Sequence, residues 1–113
     1  MKLYHAHVYF KSFGLRAQDF YLEASKVFKS IWVSKKPVGP HPLPMIELHF
    51  VELEPNREWL IANHGDFSVL IHEETGEDVR DHTEAIEWLG EPLKLDFNFF
   101  ELIKTRPDLK VHP

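Results

Sequence analysis

The feature that most narrows what this chain can fold into is the alternation in residues 3–10, LYHAHVYF. Successive side chains of an extended strand point to opposite faces. Ala6, Val8 and Phe10 therefore point one way, and His5, His7 and Tyr9 the other. The pattern returns at 45–53, where Ile46, Leu48 and Phe50 share one face and Met45, Glu47 and His49 the other. Strands with one apolar and one titratable face need a helical layer on the first. The second must be polar, covered by other chain, or hollowed into a pocket.

The rest of the chain supplies such a layer. From Leu15 to Ile31 the apolar positions Phe20, Ala24, Val27, Phe28 and Ile31 recur at helical spacing. Trp32 and Val33 open a short second strand. Prolines at 37, 40, 42 and 44 make PVGPHPLP a stiff loop rather than a sheet interior. Pro55 suits a first helical turn and Gly65 a stop, which predicts a helix over 55–64. FSVLIH, residues 67–72, reads as a further strand, and Thr75-Gly76 marks a turn. Asp81 and Glu84 have capping-box spacing and predict a short helix carrying Ala85, Ile86 and Trp88, with Gly90 as its stop. The stretch DFNFFELIK fits either a helix capped by Asp96 or a strand; Phe97, Phe99 and Phe100 in it suit a cover for the sheet or a dimer contact.

The order strand–helix–strand–strand–helix–strand, followed by a C-terminal extension, predicts an α+β fold of ferredoxin-like topology. This is a two-layer sandwich with a four-stranded antiparallel or mixed sheet and both main helices on one face. The first and third strands lie centrally, and the fourth borders the first. No repeat or linker interrupts the 113 residues, so 1–113 reads as one domain.

Composition removes several function classes. There is no cysteine, which excludes disulfides and thiolate chemistry and leaves nitrogen and oxygen ligands for any metal. A formal charge of −5 weighs against a nucleic-acid partner. The start has no hydrophobic leader block and no apolar run reaches membrane-spanning length, so we expect a cytoplasmic protein with no membrane partner. Phosphate-loop, dinucleotide, HExxH and nucleophile-elbow motifs are all missing.

The histidines remain. Same-face residues two apart on a strand are separated by about 7 Å and adjacent strands by about 5 Å. Side chains can converge from those distances on one ion, with bonds of about 2.0–2.2 Å. His7 and His72 meet if the first and last strands pair; Glu47 and His49 approach from the third strand. His41 closes over the rim from its proline-stiffened loop, and His82 follows the turn. A ligating imidazole needs an acceptor for its other nitrogen, and Glu47, Asp78 or Asp81 could serve. His5 reads as a strand-edge residue bonded to water, and His64 and His112 as surface histidines. The carboxylates Glu73, Glu74, Glu77, Asp78 and Asp81 read as a solvated turn.

HAHVYF, VGPHPLPM at 38–45, SVLIHEETGEDVRDHT at 68–83 and WLGEP at 88–92 together resemble the DOPA 4,5-dioxygenase family over roughly residues 4–95. The resemblance implies a ferredoxin-like domain, a homodimer, and extradiol cleavage of a catechol by nonhaem iron(II) and O₂. His7, His41, His72 and His82 fall on the family's strand, PHP, TG-turn and DHT histidines. On that likeness His7 and His72 are metal ligands and His82 or His41 is the acid–base group, with Glu47, His49 and His41 open for the third ligand. Zinc or nickel could replace iron in a purified sample. Glu73 stands where the family commonly has proline, a change at the rim. Two other readings stay open: a metal- or small-ligand-binding protein without turnover, and a histidine-lined structural dimer.

Overall fold

The computed structural model describes residues 2–83, 86–96 and 98–105. Glu84, Ala85, Phe97 and His112, which figure in the sequence reading, lie outside them. The elements run β1 (Tyr4–Tyr9), α1 (Leu15–Ser25), β2 (Ser30–Ser34), β3 (Met45–Phe50), α2 (Leu53–Asn63), β4 (Ser68–Glu73), α3 (Asp78–Asp81), β5 (Ile86–Leu89) and α4 (Asn98–Thr105). The five strands form one antiparallel sheet in the order β2-β3-β1-β4-β5. Its first four strands have the ferredoxin-like arrangement expected, with β1 and β3 central and β4 beside β1. A fifth strand extends the expected four at the β4 edge.

The register turns the alternation into two distinct faces. Ala6 pairs with Leu48 and Ile71, and Val8 with Ile46 and Val69. With Phe10 and Phe50 they form the main core, closed by Ala17, Phe20 and Ala24 of α1, Phe28, and Leu60 of α2. The opposite face receives His5 opposite His49 and His72, and His7 opposite Glu47 and Leu70. A second, smaller cluster of Tyr9, Met45, Leu70 and Leu95 lies there, with Val38, Leu43, Ile86, Trp88 and Leu93 packed against it. The proline-rich loop and the segment after β5 thus cover this face. The Asp96 amide donates to the Pro40 carbonyl at 2.7 Å and ties the two covering segments together.

Three local expectations need correction. The first helix stops at Ser25, so Val27 is exposed and Ile31 belongs to β2; Phe28 still reaches the core through a turn, its amide bonded to Ala24 O at 2.8 Å. Ile86 and Trp88 lie on a strand, not a helix. Asp81 does not cap a helix after it, because its carboxylate turns back to take hydrogen bonds from Thr75 N at 2.9 Å and Thr75 Oγ1 at 2.5 Å. The residues beyond pair with β4 instead, placing Ile86 and Trp88 on one face and Glu87 and Leu89 on the other. Glu87 then meets Arg57 of α2 in a two-pronged ion pair at 2.5 and 2.6 Å, which fastens this edge to the helical layer.

The second helix becomes regular at Pro55, where the sequence places its start, since Glu54 before it is extended. Gly65 stands just past its end at φ 58°, a left-handed conformation that glycine adopts without a steric penalty. The open question after Pro92 resolves as a helix, with Asp96 Oδ1 accepting from Asn98 N at 3.0 Å. No described helix is long and apolar enough to cross a membrane.

Candidate metal centre

Beneath the covering segments lies a concentration of imidazoles. His7, His41, His72 and His82 are each at most 3% exposed, and His5 is fully buried beside them. The structure thus gathers the four histidines singled out in separate stretches of sequence. The His7 ring centroid lies 4.3 Å from His41, 5.1 Å from His72 and 6.1 Å from His82; His72 and His82 are 4.6 Å apart. Among the described residues, ligand atoms converge in four groups, His5–His7–His72, His7–His41–His82, His5–Glu47–His49 and His72–Glu74–Asp81, in each of which they lie within 4.8 Å of one another.

The hydrogen-bond partners fix where two of the lone pairs point. His72 Nδ1 lies 3.0 Å from the Glu73 carbonyl oxygen, an acceptor, so Nδ1 carries the proton and Nε2 a lone pair. His7 Nδ1 lies 3.2 Å from Met45 Sδ and 3.6 Å from Glu47 Oε1, again acceptors, so its Nε2 is also bare. These two Nε2 atoms face each other at 3.0 Å. At that distance the two nitrogens either share one proton or, with both rings protonated on Nδ1, need a cation between or beside them. Two nitrogens each about 2.1 Å from one ion and at right angles would be about 3.0 Å apart. The residues therefore fit a divalent metal, and imidazole suits iron, zinc and nickel alike.

Electrostatics keeps His7, His41 and His72 neutral and ready to ligate. Burial, reinforced by repulsion from His41, His72, His82 and His5, holds His7 well below the ordinary imidazole range. Burial and the neighbouring His82 and His72 lower His41 to about 3. His72 falls to about 4, from burial first and His82 second, with the Glu73 carbonyl opposing. Neutral imidazoles are the form that binds metal. Tyr9, whose hydroxyl lies 2.7 Å from His41 Nδ1, is pushed above its ordinary value by burial and by the Glu47 carboxylate.

Glu47 and His49 sit differently from the pair. Glu47 lies on the Nδ1 side of His7, away from the nitrogen that faces His72. Its other oxygen is 2.5 Å from His49 Nε2, and His49 stacks on His5 with centroids 3.6 Å apart. These three residues form a group of their own. His5, read from the sequence as a water-bonded strand-edge residue, is instead enclosed, its Nδ1 3.3 Å from Glu74 Oε2. The signal was present: a central strand puts residues two apart on one face, so His5 goes wherever His7 goes.

The acidic turn is also less solvated than expected at one point. Asp81 is buried, and although burial raises its carboxyl, the bonds from Thr75 outweigh that and leave it below the ordinary range. It holds the Thr75-Gly76 turn closed next to His82. His64 has a structural part, its Nδ1 2.9 Å from the Phe67 carbonyl.

A model of the Dopa 4,5-dioxygenase family matches residues 4–99, and the chain belongs to that family. An uncharacterized 21.2 kDa protein of Botryotinia fuckeliana is 36% identical over an alignment of 82 residues that covers 64% of this chain and 45% of that protein. The chain thus spans less than half the length of this curated relative. Among solved structures, a Nostoc punctiforme protein provisionally described as a dioxygenase superposes with a TM-score of 0.71 at 29% identity, covering 91% of this chain and 94% of that one.

Proposed function

We propose that this chain is a nonhaem iron(II)-dependent extradiol dioxygenase that opens the ring of a catechol such as DOPA. Family membership and the description of the Nostoc punctiforme neighbour support a dioxygenase-like function. The observation that carries the finer reading is the pair of bare Nε2 atoms of His7 and His72 at 3.0 Å within a buried, neutral cluster. His7 and His72 hold the metal; His5, His41 and His82 each group with one or both of them and are, with Glu47 and His49, the candidates for the third place. Iron(II) bound there supplies the electron transfer that lets dioxygen react with a catecholate.

The protein's own groups do the rest. The Glu73 carbonyl orients the His72 ring, and Met45 with Glu47 orients that of His7. Val38, Leu43, Leu93 and Leu95 cover the face and exclude water. The four central histidines are almost wholly enclosed. His41 and His82 stand beside the pair as groups able to exchange hydrogen bonds and protons with a bound diol.

The experiment is anaerobic loading with iron(II), then oxygen consumption with and without a panel of catechols. Oxygen uptake that depends on both iron and a catechol, with a yellow ring-opened product, is expected. Iron bound without uptake would make the chain a metal-binding protein on an oxygenase fold.

A further inference from the structure

Three of the buried histidines do not use their ring nitrogens alike. His7 and His72 set Nδ1 against atoms that can only accept, and so present bare Nε2 atoms. His41 sets Nδ1 against the Tyr9 hydroxyl, which can donate, at 2.7 Å. Its Nε2 is buried and has no hydrogen-bond partner among the described residues.

The choice between the two possible directions of that bond can be counted. If His41 Nδ1–H donates to the phenol oxygen, the Tyr9 O–H is left without an acceptor and His41 Nε2 without a donor. If the Tyr9 O–H donates to Nδ1, both atoms of the pair are satisfied and only the Nε2–H is unmatched. An unmade buried hydrogen bond is costly, so the direction with one unmatched group wins over that with two. Tyr9 is buried and its ring lies 5.7 Å from that of His41, so the pair is held by packing as well as by the bond.

We propose that Tyr9 is a positioning residue that fixes His41 as the Nε2–H tautomer, which makes His41 a hydrogen-bond donor to a substrate oxygen and removes it from the metal ligands. The donor role rests on the catechol reading; the tautomer does not. A nitrogen that carries its proton has no lone pair for a metal. Its Nε2 also cannot accept a proton, which, where His82 does not take the third place on the metal, leaves His82 as the imidazole that can take one from a bound diol. Tyr9 thus divides chemically similar histidines into ligands and a donor, by supplying a donor where His7 and His72 meet acceptors.

The test begins with the metal-free wild-type protein carrying ¹⁵N-labelled histidine. Long-range proton–nitrogen spectra near neutral pH report which ring nitrogen is protonated. His41 is expected to carry its proton on Nε2, and His7 and His72 on Nδ1 as internal contrast. In Tyr9→Phe the His41 signals should move towards a mixture of tautomers. Wild-type His41 protonated on Nδ1 would overturn the proposal, and that spectrum decides even where Tyr9→Phe does not fold. Iron content gives a second reading: His41→Ala should keep its iron, and loss to the level of His72→Ala would also overturn it. In turnover, Tyr9→Phe should lower kcat only by the fraction of His41 that loses its Nε2–H, about twofold for an even mixture, with iron content and KM little changed. The expected spectra together with no oxygen uptake on any catechol would defeat the dioxygenase reading and the donor role, leaving the tautomer assignment intact.

Discussion

The two faces of the central strands are built from the same residues in alternation, yet they follow opposite rules. On the helix side, Ala6, Val8, Ile46, Leu48 and Val69 are almost completely buried and carry no polar side-chain atom. On the loop side, His5, His7, His72 and Glu47 are buried nearly as deeply and carry little else. The first face is stabilised by removal of hydrocarbon from water; the second combines a smaller apolar cluster with nitrogens that each need a partner once buried. A sheet face that needs a partner from outside the chain is a binding face, and the difference between the faces is where the function lies.

The comparison can be broken most decisively at His72. His72→Ala removes one of the two facing lone pairs, so iron content should fall from near one per chain to near none while the metal-free fold persists. Metal analysis beside circular dichroism checks this; unchanged stoichiometry would show that the loop-side face does not need its cation.

The helix side should respond in the reverse way. Ile46→Ala leaves a cavity beneath the helices and is expected to cost about 2–5 kcal/mol in denaturant unfolding. Iron should still bind to whatever fraction stays folded. A neutral result would mean that the apolar face is not the main source of stability.

Acid sharpens the contrast between the faces. His41 and His72 are held at about 3 and about 4, and His7 also low, against an ordinary value of 6.5 in the unfolded chain. Between those limits the unfolded chain takes up protons that the folded one refuses. The stability of the metal-free protein should therefore be full above pH 6.5 and be lost as pH falls towards 3 to 4. Thermal unfolding across that range checks the sign, and a flat profile would mean that the histidines are not enclosed as described.

A smaller effect is expected at the β5 edge. Gly90 has φ 72°, and a Cβ there would lie 2.9 Å from the Phe67 carbonyl oxygen. Gly90→Ala should destabilise by about 1–3 kcal/mol and leave metal affinity nearly unchanged. A large loss of iron instead would show that β5 and the cover it carries govern the site.

The two faces also differed in how far they could be read from residues alone. Period-two alternation in LYHAHVYF and MIELHF was enough to assign Ala6, Val8, Ile46 and Leu48 to the core, because hydrophobic burial leaves a local periodic trace. Proline and glycine likewise placed α2 between Pro55 and Gly65. Asp81 misled because a carboxylate can serve either the helix after it or the turn before it, and only the folded Thr75 decides between them. The four histidines of the centre could be nominated, but which nitrogen each one offers depends on long-range partners such as Met45 for His7 and Tyr9 for His41. Sequence spacing carries no trace of those partners. His5 alone on its strand reads as exposed, whereas His49 stacked on it and Glu74 beside it enclose it.

The most direct measurement is a crystal structure of the iron-loaded protein with anomalous scattering recorded on both sides of the iron absorption edge. A single peak bonded to both His7 Nε2 and His72 Nε2 at about 2.0–2.2 Å is the expected result. A peak held instead by His5, Glu47 and His49, or no peak between the two facing nitrogens, would contradict it.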